Sequence, residues 1–405
     1  MPGTGEMGRI TCRGCESRKL EPFLDLGEMP SAGGFLANRE TIAHEKFYPL
    51  KVHICEVCGL VQILDAIAPD VLFEEYSFAS STVGPLVRHF KDYASWLRQA
   101  FSPRVVVEFG CNDGILLSPL KELGITAFGV DISRNVTEMA RAKGLDVLTG
   151  YFDDMAAEQI ERRLGKVDVV TGSNAFAHND NPEGILRAAR RILKAGGHLC
   201  LEVMYVGDLL QSMQWDTLYH EHLTFYCLAT LQTLLRRFGF YVIDAERIPM
   251  HGGSLRVVAA TAPDEAVRPA VNTLLGYEKQ VAMIQPSTWL AFGQESKRKI
   301  DIVRRTFDAI SENSRIWAYG AAGKATMWVN ACKMSYLEAV VDESPLRAGK
   351  LMPGIHTPIV PPKDLRKDPP HYIFVTAWNY ADLIRSKESW YDGIWSVPLP
   401  ELKFW

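Results

Sequence analysis

The chain has 405 residues, two to three times a typical domain length of roughly 150, so two or three domains are expected. Hydrophobic residues make up 47% and charged residues 23%, a composition that excludes a disordered or fibrous chain. Apolar runs are strand-sized, far short of the ~20 residues a membrane span needs. A net charge of −4 carries no basic footprint for nucleic acid, and residues 1–9 lack the apolar core of a secretion signal. A cytoplasmic enzyme acting on a small molecule, without nucleic-acid or membrane partners and as a monomer or dimer, is the expectation.

Taken in chain order, the first signal is cysteine spacing. Cys12 and Cys15 form one Cys-x-x-Cys pair, Cys55 and Cys58 another. In a reducing compartment such pairs read as a tetrahedral thiolate zinc site, structural because all four ligands are protein. The gap between the pairs exceeds finger spacing, so some small structure is inserted there. Residues 1–85 read as a turn-rich, short-stranded module ending in the loop Glu75–Ser81. A helical period follows over 86–101, with Leu86, Phe90, Tyr93, Trp96 and Leu97 on one face.

Strands then alternate with helices. Strands are predicted at 104–109, 126–131, 167–172 and 198–203, with helices at 133–143 and at 182–194, the latter ending at Gly196-Gly197. This alternation predicts a mostly parallel, doubly wound α/β sheet over 86–264. A helical connector over 265–312, interrupted near Gln285-Pro286-Ser287, leads to a second, smaller Rossmann-like domain over 313–405, with strands at 315–319, 337–342 and 372–376.

After the first βα strand, Glu108-x-Gly110-x-x-x-Gly114 makes a glycine-rich turn at the sheet's C-terminal edge. A dinucleotide enzyme would show Gly-x-Gly-x-x-Gly here, to seat a pyrophosphate on the helix N-terminus. This turn instead carries Asn112 and Asp113, with Glu108 ending the strand. Negative charge suits a cationic cofactor, and S-adenosylmethionine carries a sulfonium and an ammonium. Asp131 is placed to accept from ribose hydroxyls, Asp153 to meet the adenine amino group, and Asn174 to face the methionine end.

These residues carry a resemblance. Together with Glu221-His222, His251-Gly252-Gly253, Tyr319-Gly320-Ala321-Ala322-Gly323-Lys324 and Ala377-Trp378-Asn379, in this order along nearly the whole chain, the sequence resembles the C-methyltransferases acting on nucleotide-linked 4-keto-deoxysugars. The resemblance implies a class I, Rossmann-like methyltransferase domain between a zinc-binding N-terminal module and a C-terminal Rossmann-like domain. It also implies S-adenosylmethionine and structural Zn²⁺ as cofactors, a nucleotide-sugar substrate, methylation beside the ketone at C-3, and a place in deoxysugar and antibiotic biosynthesis.

Carbon methylation beside a ketone needs a base for the α-proton, a donor for the enolate oxygen and an in-line methyl donor. Asp216-Thr217-Leu218-Tyr219-His220-Glu221-His222 offers candidates within seven residues. The resemblance makes His222 the base, with Glu221 beside it and Tyr219 as hydrogen-bond donor. It adds His178 as a second active-site histidine, and Tyr76 as a tyrosine closing over the sugar, with Ser80 of the same loop as a substrate contact. His220-Glu221-His222 is not the His-Glu-x-x-His metal motif. His251 and Gly252 read either as catalytic or as a tight turn. Gly320, Lys324, Lys350, Trp378 and Asn379 read either as a phosphate-holding substrate mouth or as parts of a packing domain. Rival functions are methylation of oxygen or nitrogen, a non-sugar substrate, or a zinc-knuckle binding protein on a degenerate fold.

Overall fold

The stretch between the cysteine pairs alternates in Leu50, Val52 and Ile54, all without solvent exposure, and a period of two makes a strand. In the computed structural model, which describes residues 9–68, 72 and 79–405, that strand is β2 (Phe47–Cys55), antiparallel to β1 (Leu20–Pro30). At nine and eleven residues these strands correct the expectation of a short-stranded module. The short β3 (Val61–Ile63) pairs with β2, and the run of β2 back along β1, with Cys55 opposite Leu20, brings the second cysteine pair beside the first.

The helix Gly84–Phe101 buries Leu86, Phe90, Tyr93, Ala94 and Leu97 and leads into the central sheet. Here β4 (Val105–Phe109), β5 (Thr126–Asp131), β6 (Asp146–Thr149), β7 (Val167–Ser173) and β8 (Leu193–Met204) run parallel. The expected helix 182–194 ends at Ile192. Leu193 is already extended and opens β8 beside Val167, so Gly196-Gly197 lies inside a strand. Next, β9 (Thr224–Phe225) leaves this domain to pair with β3, closing a four-stranded sheet. The hairpin β10 (Tyr241–Ile248) and β11 (Ser254–Ala260) completes the central sheet in the order β10-β11-β8-β7-β4-β5-β6, with β11 antiparallel to both neighbours. This is the class I, Rossmann-like arrangement. From β4 the chain steps outward to β5 and β6, then crosses to β7, so the ligand crevice of such a sheet lies at the C-terminal ends of β4 and β7.

Helices Pro269–Gln280 and Pro286–Ser311 form the connector, broken at Gln285-Pro286. The second lies on β1: Trp289 and Phe292 pack on Phe23 at ring distances of 5.3 and 6.3 Å. A Cβ on Gly293 would sit 1.8 Å from the Phe23 carbonyl. Burying each of these rings contributes about 1.5–3 kcal/mol.

The C-terminal sheet contains β12 (Ile316–Tyr319), β13 (Val340–Val341), β14 (Ile359–Val360), β15 (Tyr372–Val375), β16 (Ile394–Val397) and β17 (Lys403–Phe404), ordered β14-β13-β12-β15-β16-β17 and parallel except for β17. The expected strand 337–342 is only two residues long. The N-terminal module reaches this domain directly. Leu36 and Leu351 exchange backbone hydrogen bonds of 3.1 and 2.8 Å, and Glu45 accepts from Gly354 N and pairs with His356. Among the described residues, no helix is long and apolar enough to cross a membrane.

Candidate active site

The turn after β4 is shaped by protein contacts. Gly110 has φ +67°, and a Cβ there would lie 2.2 Å from the Cβ of Ala175, in the loop after β7. Asn112 N donates to Asp131 Oδ2 and Ser133 N to Oδ1, both at 2.9 Å, so Asp131 ties the turns after β4 and β5 together. Burial raises the Asp131 pKa. Glu108 is buried, with Oε2 unpartnered among the described residues. Burial first, then Asp131, Glu202 and Asp113, push its pKa well above the ordinary carboxyl range. Asn174, with φ +53°, donates from its backbone N to the Glu202 carbonyl at 2.7 Å, which sets it at the crevice edge opposite Gly110.

Two expected cofactor contacts have other partners. Asp113 accepts from Ser81 and, at 3.0 Å, from Lys143, so its charge is compensated within the turn. Asp153 Oδ1 caps the helix Asp154–Leu164, accepting from Met155 N and Ala156 N. Gly114 has φ +79°, and a Cβ there would meet Leu145 at 2.2 Å. Ser80 donates its backbone N to Asn112 Oδ1 at 2.9 Å, which places it on the cofactor turn. Tyr76 lies outside the described residues.

The segment after the turn Trp215–Thr217 brings the histidines together. A carbonyl only accepts, so the 2.8 Å contact of His222 Nδ1 with Thr217 O fixes the proton on Nδ1 and leaves Nε2 as a lone pair. The Tyr219 ring lies 4.2 Å from the His222 ring, and the His178 ring 4.9 Å from it. Burial, then neighbouring positive character, holds His222 well below its usual pKa. His178 and His251 are each lowered to about 4, burial being the main cause. All three are therefore neutral at pH 7, while each keeps part of its surface accessible. Glu221 is raised to about 7 by burial, against the pull of Gly33 N and Arg347. His220 reaches the other way, its Nε2 donating to Pro49 O at 3.1 Å.

The C-terminal domain forms the facing wall. A Cβ on Gly323 would lie 2.9 Å from the Tyr219 ring. Lys324 Nζ sits 4.5 Å from the Trp378 ring centre, out of solvent and, among the described residues, without a hydrogen-bond partner. Trp378 and Trp328 both donate Nε1–H to Asp216 Oδ2, at 2.8 and 3.0 Å. Gly320, with φ +100°, packs against Ala377, and Asn379 lies half-buried in the turn Trp378–Tyr380. Lys350 contributes backbone hydrogen bonds to Arg347 and Ile359. No contact joins its side chain to the cluster among the described residues. His251-Gly252-Gly253 is a tight turn: Gln214 Nε2 donates to Gly252 O at 2.7 Å, and a Cβ on Gly253 would meet Asp208 at 2.3 Å. The same turn sets His251 within the field of Lys324 and Glu202.

Sequence reasoning left Asp216, Trp328 and the Glu202 network unassigned. Glu202 accepts from Arg256 at 2.9 and 2.7 Å and pairs with His89 at 2.9 Å. Like Glu108, it is an acid near a strand's C-terminal end, and that was the available signal.

The four cysteine sulfurs lie within 4.8 Å of one another, with Cys12–Cys58 at 3.6 Å and Cys15–Cys55 at 3.5 Å. Four thiolates around zinc, with Zn–S near 2.3 Å, stand about 3.8 Å apart, so the residues fit the metal. Gly14 N and Gln62 Nε2 donate to Cys12 Sγ. Arg13, buried within the first knuckle, reaches Asp180 just beyond His178. The module is thereby fixed against the histidine loop.

The chain is 30% identical over 400 residues to C-methyltransferase NovU of Streptomyces niveus, covering 96% of this chain and 95% of that one. The chain belongs to the C-methyltransferase family. Three family models match this C-methyltransferase: "Putative zinc binding domain" over residues 12–73, "Methyltransferase domain" over 86–245 and "C-methyltransferase C-terminal domain" over 249–400. A ubiquinone biosynthesis O-methyltransferase of Cupriavidus pinatubonensis is 35% identical over 97 residues, covering 23% of this chain and 39% of that protein. Among solved structures, a possible histamine N-methyltransferase of Thermotoga maritima is 22% identical, covering 44% of this chain and 92% of that one at a TM-score of 0.34.

Proposed function

We propose that this C-methyltransferase transfers a methyl group from S-adenosylmethionine to the carbon beside the ketone, at C-3, of a nucleotide-linked 4-keto-deoxysugar, through an enolate made by His222. The observation that carries the reading is the fixed tautomer of His222, whose Nε2 lone pair is presented in a cluster of neutral histidines. A positively charged imidazole could not accept a proton, and low-dielectric surroundings keep this one neutral.

His222 Nε2 takes the α-proton, the C–H electron pair becomes the C=C bond, and the carbonyl π pair moves onto oxygen, giving the enolate. In this reading the hydrogen-bond donors to that oxygen are Tyr219 and His178, and their ring contact with His222 supports it. The cofactor fits the crevice in its chemistry. Glu108 retains an unpartnered carboxyl oxygen at the end of β4, Gly110 permits close packing of the two crevice turns, and Asp131 and Asn174 stand on either flank. When bound, S-adenosylmethionine supplies the electrophilic methyl. The wall formed by Gly320, Lys324 and Trp378 receives the sugar nucleotide. The overall similarity to the Streptomyces niveus C-methyltransferase supports methylation at carbon, and the reading includes a small-molecule substrate and a cytoplasmic enzyme.

The test is an assay of thymidine, uridine and guanosine diphosphate 4-keto-6-deoxyhexoses with ¹³C-methyl donor, read by NMR. A new methyl on the carbon next to the ketone is expected. A methyl on oxygen or nitrogen contradicts the reading.

A further inference from the structure

Within the wall that receives the sugar nucleotide, Lys324 has a setting that the proton and electron steps above do not use. Its stem is partly accessible, but Nζ is out of solvent and makes no hydrogen bond among the described residues. A buried ammonium without partners is held at considerable expense in solvation, and such a group is retained where a ligand completes it. The carboxylate whose charge acts on it, Asp216, does not satisfy it. No ion pair within 4.0 Å joins them, Asp216 Oδ2 is occupied by two indole N–H groups, and Asp216 Oδ1 is itself unpartnered. Indole donors draw the carboxylate toward themselves and hold it as a partial counter-charge.

The placement of Lys324 is toward the chemistry. It follows Gly323, which abuts Tyr219, and Tyr219 lies on His222. Its charge is felt at both His222 and His251. The three histidines are neutral, so they can donate hydrogen bonds but bring no positive charge. An enolate carries a full negative charge, and in a low-dielectric site a cation within a few ångströms is worth far more than in water. A diphosphate, strongly hydrated, would call for accessible donors in number, whereas this ammonium is single and buried against Trp378.

We infer that Lys324 is a catalytic residue whose ammonium donates to the substrate's carbonyl oxygen as it becomes the enolate oxygen, with Asp216 as its positioning residue. The inference rests on the proposed enolate chemistry. The step balances: the α C–H bond breaks, its proton goes to His222 Nε2, and its electron pair forms the C=C bond. The carbonyl π pair settles on oxygen, opposite Lys324. The proton on Lys324 stays on nitrogen, so the ammonium is unchanged when the ketone is restored.

The experiment follows loss of the α-proton to D₂O by NMR, using thymidine diphosphate 4-keto-6-deoxyglucose and S-adenosylhomocysteine, with the full metal-loaded chain. Lys324→Met removes the charge and keeps the stem. Exchange is expected to fall at least about 100-fold, the scale for removing one oxyanion donor. KM for the sugar nucleotide should stay within about threefold, as for an interaction made mainly in the transition state. Calorimetric binding of S-adenosylhomocysteine confirms that the variant is folded. Should it not fold, Asp216→Asn serves. Without its counter-charge Lys324 loses its proton more readily, so the alkaline fall of the exchange rate should move to lower pH. Exchange within about threefold of wild type, a raised KM with unchanged turnover, or an unmoved alkaline limb in Asp216→Asn overturns the assignment. Wild-type protein that methylates a heteroatom and exchanges no α-proton overturns the enolate reading and this inference with it.

Discussion

Glu221 is where three parts of the molecule meet, and its protonation is the most direct handle on their packing. It follows His220, which bonds to the N-terminal module, and precedes His222 in the histidine cluster. A Cβ on Gly33 would lie 2.8 Å from its Oε1, so the module's loop covers the carboxyl, and Arg347 acts on it from the C-terminal domain. Burial raises this group from 4.5 to about 7, which corresponds to about 3 kcal/mol between the two protonation states. A raised carboxyl contributes stability that is fully present below its unfolded pKa and is lost as pH rises through the folded value. The wild type therefore loses about 3 kcal/mol from this site between roughly pH 4.5 and 7. Glu221→Gln, which keeps the shape of the neutral acid, does not titrate. Calorimetric melting of metal-loaded protein at pH 5 and pH 8.5 should show nearly equal stabilities at the lower pH. At the higher pH the variant should be more stable by about 3 kcal/mol, a rise of several degrees in Tm. A difference that does not change with pH, or a variant less stable at pH 8.5, would refute the argument that Glu221 is held neutral by burial.

The remaining expectations concern metal and cofactor. One zinc per chain should be found by metal analysis, and stripping it should unfold the β1–β3 module and weaken substrate binding, with little change in cofactor affinity. Protein purified without chelator and lacking zinc would be inconsistent with the closed thiolate site. Asp131→Ala should weaken S-adenosylmethionine binding by roughly 1–3 kcal/mol, measured by calorimetry. Gly110→Val should also lower Tm, because its side chain would meet Ala175 at a left-handed φ, with overpacking alone worth about 1–3 kcal/mol. Unchanged cofactor affinity in both variants would remove the crevice assignment.

Much of the fold was readable because its signals are local. Val105–Phe109 and Val167–Ser173 are apolar runs of strand length, and the Cys-x-x-Cys pairs announce their own geometry. The strand Phe47–Cys55 carried its alternation openly and could have been read. By contrast, Thr224–Phe225 is a strand only through its pairing with Val61–Ile63, and two residues hold no period. Lys194-Ala195-Gly196-Gly197 has the composition of a helix end, yet pairing with β7 draws it into a strand. In the site, the run Asp216–His222 was found because its chemistry is contiguous. What Asp113 does depends on Lys143, thirty residues on. The indole clamp on Asp216 joins residues 112 and 162 positions away. Such partners are assembled by the packing of separate domains, and no local pattern encodes them.

The central claim, that His222 makes an enolate, is tested most directly by solvent exchange in His222→Asn. Exchange at the carbon beside the ketone needs only the base, so it separates proton removal from methyl transfer. The wild type with S-adenosylhomocysteine should exchange the α-proton of a nucleotide 4-keto-deoxysugar. The variant should bind both ligands with near-native affinity, neither exchange nor methylate, and so place the base at His222. Exchange by the variant at the wild-type rate would contradict the account and assign the base to another group of the cluster, with Tyr76, His178 and Glu221 the next to replace.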